Sequence, residues 1–103
     1  MPLEQTYTVF RTEKMTRVAK DGTRTPTTMV SHYPGFGHTP HRALDSVMED
    51  IAENESDLVA ETPLDDPDYD HILQDAIENL SGKWEVFAGT HKTRPSGAPL
   101  ASA

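Results

Sequence analysis

The chain has 103 residues, of which 35% are hydrophobic and 25% charged, and it contains no cysteine. A chain of this length forms one domain with a small core, and the lack of cysteine excludes disulfides, thiolate metal sites and cysteine nucleophiles. No apolar run approaches the roughly 18 residues of a membrane-spanning helix. The N-terminal stretch lacks the basic start and apolar segment of a signal peptide. We therefore expect a cytoplasmic protein with no membrane association.

Charge is divided unevenly along the chain. Residues 1–42 carry a net charge of +3, residues 43–82 carry −13 and contain no lysine or arginine, and residues 83–103 carry +2, for a total of −8. An acidic segment of this kind repels nucleic acids and anionic membranes and attracts basic surfaces over a distance. We therefore expect a partner protein with a basic surface, and direct binding of nucleic acid is disfavoured.

The N-terminal part of the sequence predicts three strands. Residues 5–12 are rich in β-branched and aromatic side chains, which favour a first strand. Residues 14–33 predict two more strands joined at Asp21-Gly22, a dipeptide typical of tight hairpin turns. Pro26 cannot donate a hydrogen bond to a neighbouring strand, so its strand should lie at the edge of a sheet.

Two amphipathic helices are predicted next. The first extends from about Pro40 to Asn54, after Thr39 as its capping residue, with proline in its first turn. Its apolar residues recur at the spacing of one helical face: Leu44, Val47, Met48 and Ile51. The second helix follows the Asp66-Pro67 pair and has an apolar stripe that ends at Leu80.

The last predicted element is a strand from about Lys83 to Gly89. Residues 93–103 consist mainly of proline, serine, glycine and alanine, so we expect a disordered tail that is dispensable for folding. The sequence thus predicts a single α+β domain over residues 1–92, with the order β-β-β-α-α-β. Its two helices should pack on one face of a largely antiparallel sheet.

The acidic residues of both helices avoid the apolar stripes. Asp45, Glu49 and Glu53 recur every fourth residue on the far side of the first helix. We expect the acids of the two helices to form one exposed surface that binds the partner. The predicted partner-binding residues are Asp45, Glu49, Asp50, Glu53, Asp68, Asp75 and Glu78.

This charge pattern, in a chain without a recognisable catalytic motif, favours a small acidic protein-binding module that is not an enzyme and needs no cofactor. An inhibitor that mimics nucleic acid would have such a sequence, and so would an antitoxin, an immunity protein or a phage-encoded counter-defence protein. The competing interpretation is an acidic surface that serves only solubility. A homodimer is compatible with either interpretation.

Residues 33–54 (YPGFGHTPHRALDSVMEDIAEN) resemble the strand, loop and Thr-capped Ala-Leu helix of HicB-type antitoxins. The resemblance covers 22 residues and rests on Pro34, Gly35, Thr39, Ala43 and Leu44. It implies a partly dsRBD-like order of strand, strand and helix. One alternative function is therefore a HicB-like antitoxin or a nucleic-acid-binding domain that uses the basic N-terminal hairpin.

A second alternative is a small enzyme or metal-binding protein that uses the region of His38 and His41. Two imidazoles three residues apart can share a metal ion, and Asp45 lies one helical turn further on. The two histidines, however, lie on either side of the predicted helix start, where side chains diverge. We therefore expect surface histidines and predict no catalytic or metal-binding residue.

Overall fold

A four-stranded antiparallel sheet in the order β2-β1-β3-β4 organises the molecule. The computed structural model describes residues 5–103. Within this range the elements are β1 (Gln5–Val18), β2 (Arg24–Gly37), α1 (Pro40–Glu55), α2 (Asp57–Glu61), α3 (Tyr69–Glu78), β3 (Lys83–Ala88) and β4 (Ala101–Ser102). The α+β class and the order of strands, helices and a final strand are confirmed.

The first two predicted strands are one continuous strand, β1. Its pairing with β2 extends without interruption from Gln5↔Gly37 to Val18↔Arg24. The predicted turn between β1 and β2 is confirmed. Gly22 has a φ of +86°, and the Asp21 carboxylate accepts a hydrogen bond from the Thr23 amide at 2.9 Å.

Helix α1 begins as its sequence predicts and covers the sheet. The Thr39 hydroxyl accepts a hydrogen bond from the Arg42 amide at 3.2 Å, and Pro40 occupies the first turn. The core between α1 and the sheet consists of Tyr7, Val9, Ala43, Leu44, Val47, Ile51, Trp84, Val86 and Ala101. The apolar stripe of α3 is less enclosed than expected, since Ile72, Leu73 and Ile77 are only half-buried.

The C-terminal segment covers part of the sheet face opposite the helices. The Arg94 guanidinium lies 5.2 Å from the Phe87 ring and binds both carboxylate oxygens of Glu85, at 2.9 and 2.7 Å. The Thr8 hydroxyl accepts a hydrogen bond from the backbone of His91. The residues of this face that are buried in the structure are Thr8, Phe10, Glu85 and Phe87.

The prediction of a disordered tail is wrong where this segment pairs with the sheet. Ala101 and Ser102 form β4 against β3, and Ala101 is only 7% exposed. The composition of the segment suggested disorder, but backbone pairing and one ion pair hold the segment against the sheet. Neither of these interactions requires many apolar side chains.

The β1–β2 hairpin extends well beyond the other strands. Pairing of β1 with β3 ends at Thr12↔Lys83, and residues 13–29, here called the arm, continue as a two-stranded ribbon of about 20 Å. Every residue from Lys14 to Val30 is exposed. The arm explains why the radius of gyration is 16.1 Å, when a compact domain of this size has about 13 Å.

Candidate functional site

The exposed side of α1 carries four carboxylates. Asp45, Glu49 and Glu53 follow one another at successive turns, and Asp50 lies beside them. All four side chains are exposed, as predicted, because the apolar side of α1 faces the sheet. These four residues are called the α1 acidic face below.

The carboxylates of the α1 acidic face lie close enough to repel one another. Partial burial raises the pKa of Glu49, and the negative charges of Asp45, Glu53 and Asp50 raise it further. Among the residues that the structure describes, none of these four carboxylates forms a salt bridge with a lysine, arginine or histidine. A cation placed against this face would therefore relieve an unfavourable interaction.

Helix α3 extends the acidic face at its own N-terminal end. The Tyr69 hydroxyl donates a hydrogen bond to the Glu53 carboxylate at 3.3 Å. Burial raises the pKa of Tyr69, and the charges of Glu53, Asp70 and Glu49 raise it as well. Asp70, which is not among the predicted partner-binding residues, follows Tyr69 directly and adds a negative charge near its hydroxyl. Its position five residues before Asp75 places the two on different sides of α3.

The other three predicted partner-binding residues belong to α3 and its start. Asp68 is the residue before α3 and makes no capping hydrogen bond with its side chain. Asp75 lines a groove beside β1, and Glu78 accepts a hydrogen bond from Gln74 on α3. Four of the seven predicted residues thus lie together on α1, Asp75 lies in a separate groove, and Asp68 and Glu78 lie at the two ends of α3.

Arg11 is buried, although its sequence position suggested a member of the basic hairpin. It is 3% exposed and donates hydrogen bonds to the Ser81 carbonyl at 2.9 Å and to Glu55 at 3.0 Å. Burial alone would lower the pKa of Arg11, but Glu55 and Glu13 raise it. Its guanidinium also lies 4.8 Å from the Trp84 ring. The signal was available in the alternation of β1, where position 11 follows Tyr7 and Val9 on the helix side.

A groove of about 410 Å³ opens beside Arg11, between β1, the end of α1 and α3. It is called the Arg11 groove below. The carboxylates of Glu13, Glu55 and Asp75 lie along it. Leu58 contributes an apolar side chain to the same groove and is 61% exposed. The groove therefore combines negative charge with an uncovered apolar surface.

The histidines at the start of α1 acquire no further ligands in the structure. His38 and His41 are both exposed. Across residues 5–103, no group of three or more histidine, aspartate or glutamate side chains is arranged to hold a metal ion. Every buried side-chain nitrogen and oxygen in the same range has a hydrogen-bond partner.

Comparison with known protein families, with curated proteins and with solved structures finds no match to this chain. The resemblance to HicB-type antitoxins therefore rests on residues 33–54 alone. None of the described helices is long and apolar enough to cross a membrane.

Proposed function

We propose that this chain is a cytoplasmic, non-enzymatic protein-binding module whose α1 acidic face docks on a basic surface of another protein. The observation that carries the proposal is the group of four exposed carboxylates on one helix. A partner that ordinarily binds nucleic acid has such a surface. The proposed role is accordingly that of an inhibitor, antitoxin, immunity or counter-defence protein that occupies it.

The charge of the face favours recognition over mere solubility. Charges that only keep a protein soluble are expected to be interspersed with charges of the opposite sign. On α1, by contrast, the carboxylates stand close enough to raise the pKa of Glu49. This repulsion destabilises the folded chain, and the positive charges of a basic partner would remove it.

The rigidity of the face also supports the proposal. The carboxylates stand on a helix of 16 residues whose opposite side is fixed in the core by Leu44, Val47 and Ile51. Charges held on a regular element present a fixed pattern to a partner without a large loss of backbone entropy.

The experiment compares capture of host proteins by the wild-type chain and by two charge-reversal variants. In the test variant, Asp45→Lys and Glu49→Lys invert the middle of the α1 acidic face. The matched control carries Asp65→Lys and Glu78→Lys, which change the net charge equally at exposed positions outside this face.

We expect a host protein that the wild-type chain and the control retain at low salt, that high salt releases, and that the test variant does not retain. Equal capture by both variants would show that the α1 acidic face does not select the partner. Equal loss with both variants would show that only net charge matters, which is the result expected of a surface that serves solubility.

A further inference from the structure

The arm lacks the packing that usually stabilises a ribbon of two strands. Isolated two-stranded hairpins are at best marginally stable in water, and a third strand or a covering layer is usually needed. Here β3 ends at the base of the arm, and every residue from Lys14 to Val30 is exposed. Two hydrogen-bonded strands with nothing on either side are a surface suited to a partner.

One side of the arm carries two exposed methionines beside an arginine. Alternation along β1 places Met15 and Arg17 on the same side as the core residue Val9, and the pairing Glu13↔Met29 places Met29 there too. Met15 and Met29 are diagonal neighbours across the two strands. They are 46% and 42% exposed, although a methionine is usually enclosed.

The Arg11 groove has the complementary properties. The arm has a net charge of +2, with basic residues at Lys14, Arg17, Lys20 and Arg24. The groove is lined by three carboxylates, of which those of Glu13 and Glu55 pair with Arg11 and that of Asp75 forms no salt bridge among the described residues, so its net charge is negative. Leu58 supplies exposed apolar surface in the groove. The arm thus fits a surface that is acidic and partly apolar, and this chain itself has such a surface.

The position of the groove at the base of the arm makes the contact reciprocal. Glu13 belongs to both the arm and the lining of the groove. If two copies place their arms antiparallel about a two-fold axis, the end of each arm reaches the base of the other. Both copies then make the same contact, as closed two-fold dimers require.

We propose that the chain forms a two-fold dimer in which the side of each arm that carries Met15, Arg17 and Met29 packs on the Arg11 groove of the other copy. Met15 and Met29 cover the apolar part of the groove, and Arg17 faces Asp75 of the second copy. The α1 acidic face takes no part in this contact, so the dimer does not depend on the function proposed above.

The test is analytical ultracentrifugation of the full chain over about a hundredfold range of concentration, because mass action governs dimerisation. We expect the sedimenting mass to rise from that of the 11.4 kDa chain towards twice this value. Met15→Thr with Met29→Thr should raise the dissociation constant at least about tenfold through lost apolar contact.

The matched control is Val18→Thr with Val30→Thr, which removes apolar surface from the opposite side of the β1–β2 hairpin, at the end of the arm and at its base. It should leave the dissociation constant within about twofold of the wild-type value. A wild-type chain that stays monomeric overturns the proposal, as does an equal effect of the two methionine and the two valine substitutions.

A charge exchange tests the arrangement itself. Arg17→Glu and Asp75→Lys should each weaken self-association, because each places like charges together in both contacts of the dimer. An equimolar mixture of the two variants should restore it, since both contacts then join opposite charges. A mixture in which self-association stays as weak as in each variant alone contradicts the packing of the arm on the groove.

A different outcome would assign the arm to nucleic acid. This is a wild-type chain that stays monomeric and binds DNA through Arg17 and Lys20, and it would overturn the dimer.

Discussion

The arm and the C-terminal segment contradict in opposite ways what their compositions suggest. The arm has strand-forming residues and a strong turn signal, yet it projects from the domain with both sides exposed. The C-terminal segment has few apolar side chains, yet it pairs with β3 and contacts Phe87 through Arg94. The comparison shows that the contribution of a segment to stability depends on what it covers, and only secondarily on its own hydrophobicity.

The largest loss of stability is expected when residues 93–103 are removed. Deletion removes Arg94 and β4 and uncovers the sheet face that contains Phe10 and Phe87. Exposure of two such side chains costs about 3–6 kcal/mol, which should lower the melting temperature by roughly 10 °C or more. Thermal unfolding followed by circular dichroism measures this. An unchanged melting temperature would mean that the segment does not cover the sheet.

A smaller loss is expected from Arg94→Ala, which leaves the buried Glu85 carboxylate without its cation. In the wild-type chain the hydrogen bonds of Arg94 lower the pKa of Glu85, so this pair stabilises the fold above the ordinary pKa of 4.5 and less as the pH falls below it. The variant should therefore be destabilised more at pH 7 than under acidic conditions. Lys92→Ala serves as the control, and a loss independent of pH would contradict the role of the ion pair.

Shortening the arm should lower the free energy of unfolding much less than removing the C-terminal segment. Deleting residues 15–20 and 23–27 joins Lys14 to Thr28 through Asp21-Gly22 and removes eleven residues, the same number as the tail deletion. Because the lost residues are exposed on both sides, unfolding in urea at low protein concentration should change by less than about 1 kcal/mol. A loss as large as that of the tail deletion would show that the arm packs on its own domain.

The smallest effect is predicted for Glu49→Gln and has the opposite sign. The folded state raises the pKa of Glu49, so ionisation of this group opposes folding at neutral pH. Because Glu49 is exposed and solvent screens the repulsion, the variant should be only slightly more stable than the wild-type chain at pH 7, by about 0.5 kcal/mol or less. The difference should vanish once Glu49 is protonated. Chemical denaturation at pH 7 and at an acidic pH measures the difference in stability. A variant that is less stable than the wild-type chain at pH 7 would contradict the repulsion.

Local signals predicted the parts of the fold that depend on local contacts. The start of α1 could be predicted from Thr39 and Pro40, and the hairpin turn from Asp21-Gly22, because the residues that stabilise each feature are neighbours in the sequence. The exposure of the α1 acidic face likewise followed from helical spacing. For these features, composition and periodicity were sufficient.

Other features depend on residues far apart in the sequence and could not be predicted in this way. Arg11 meets Glu55 across 44 positions, and the pairing of β4 with β3 follows from the path of the whole segment. The separation of Asp75 from the α1 acidic face depends on how α3 is placed against α1. Helical spacing shows that both sets of acids are exposed, but it does not relate one helix to another.

The most direct test of the central claim is the rate at which the captured partner associates with the chain. Stopped-flow or surface-plasmon measurements should compare the wild-type chain, Asp45→Lys with Glu49→Lys, and Asp65→Lys with Glu78→Lys at low and high ionic strength. We predict that reversal of the α1 acidic face slows association and flattens its salt dependence, whereas the control retains both. Association rates that are the same for the two variants at every salt concentration would contradict the proposed docking face.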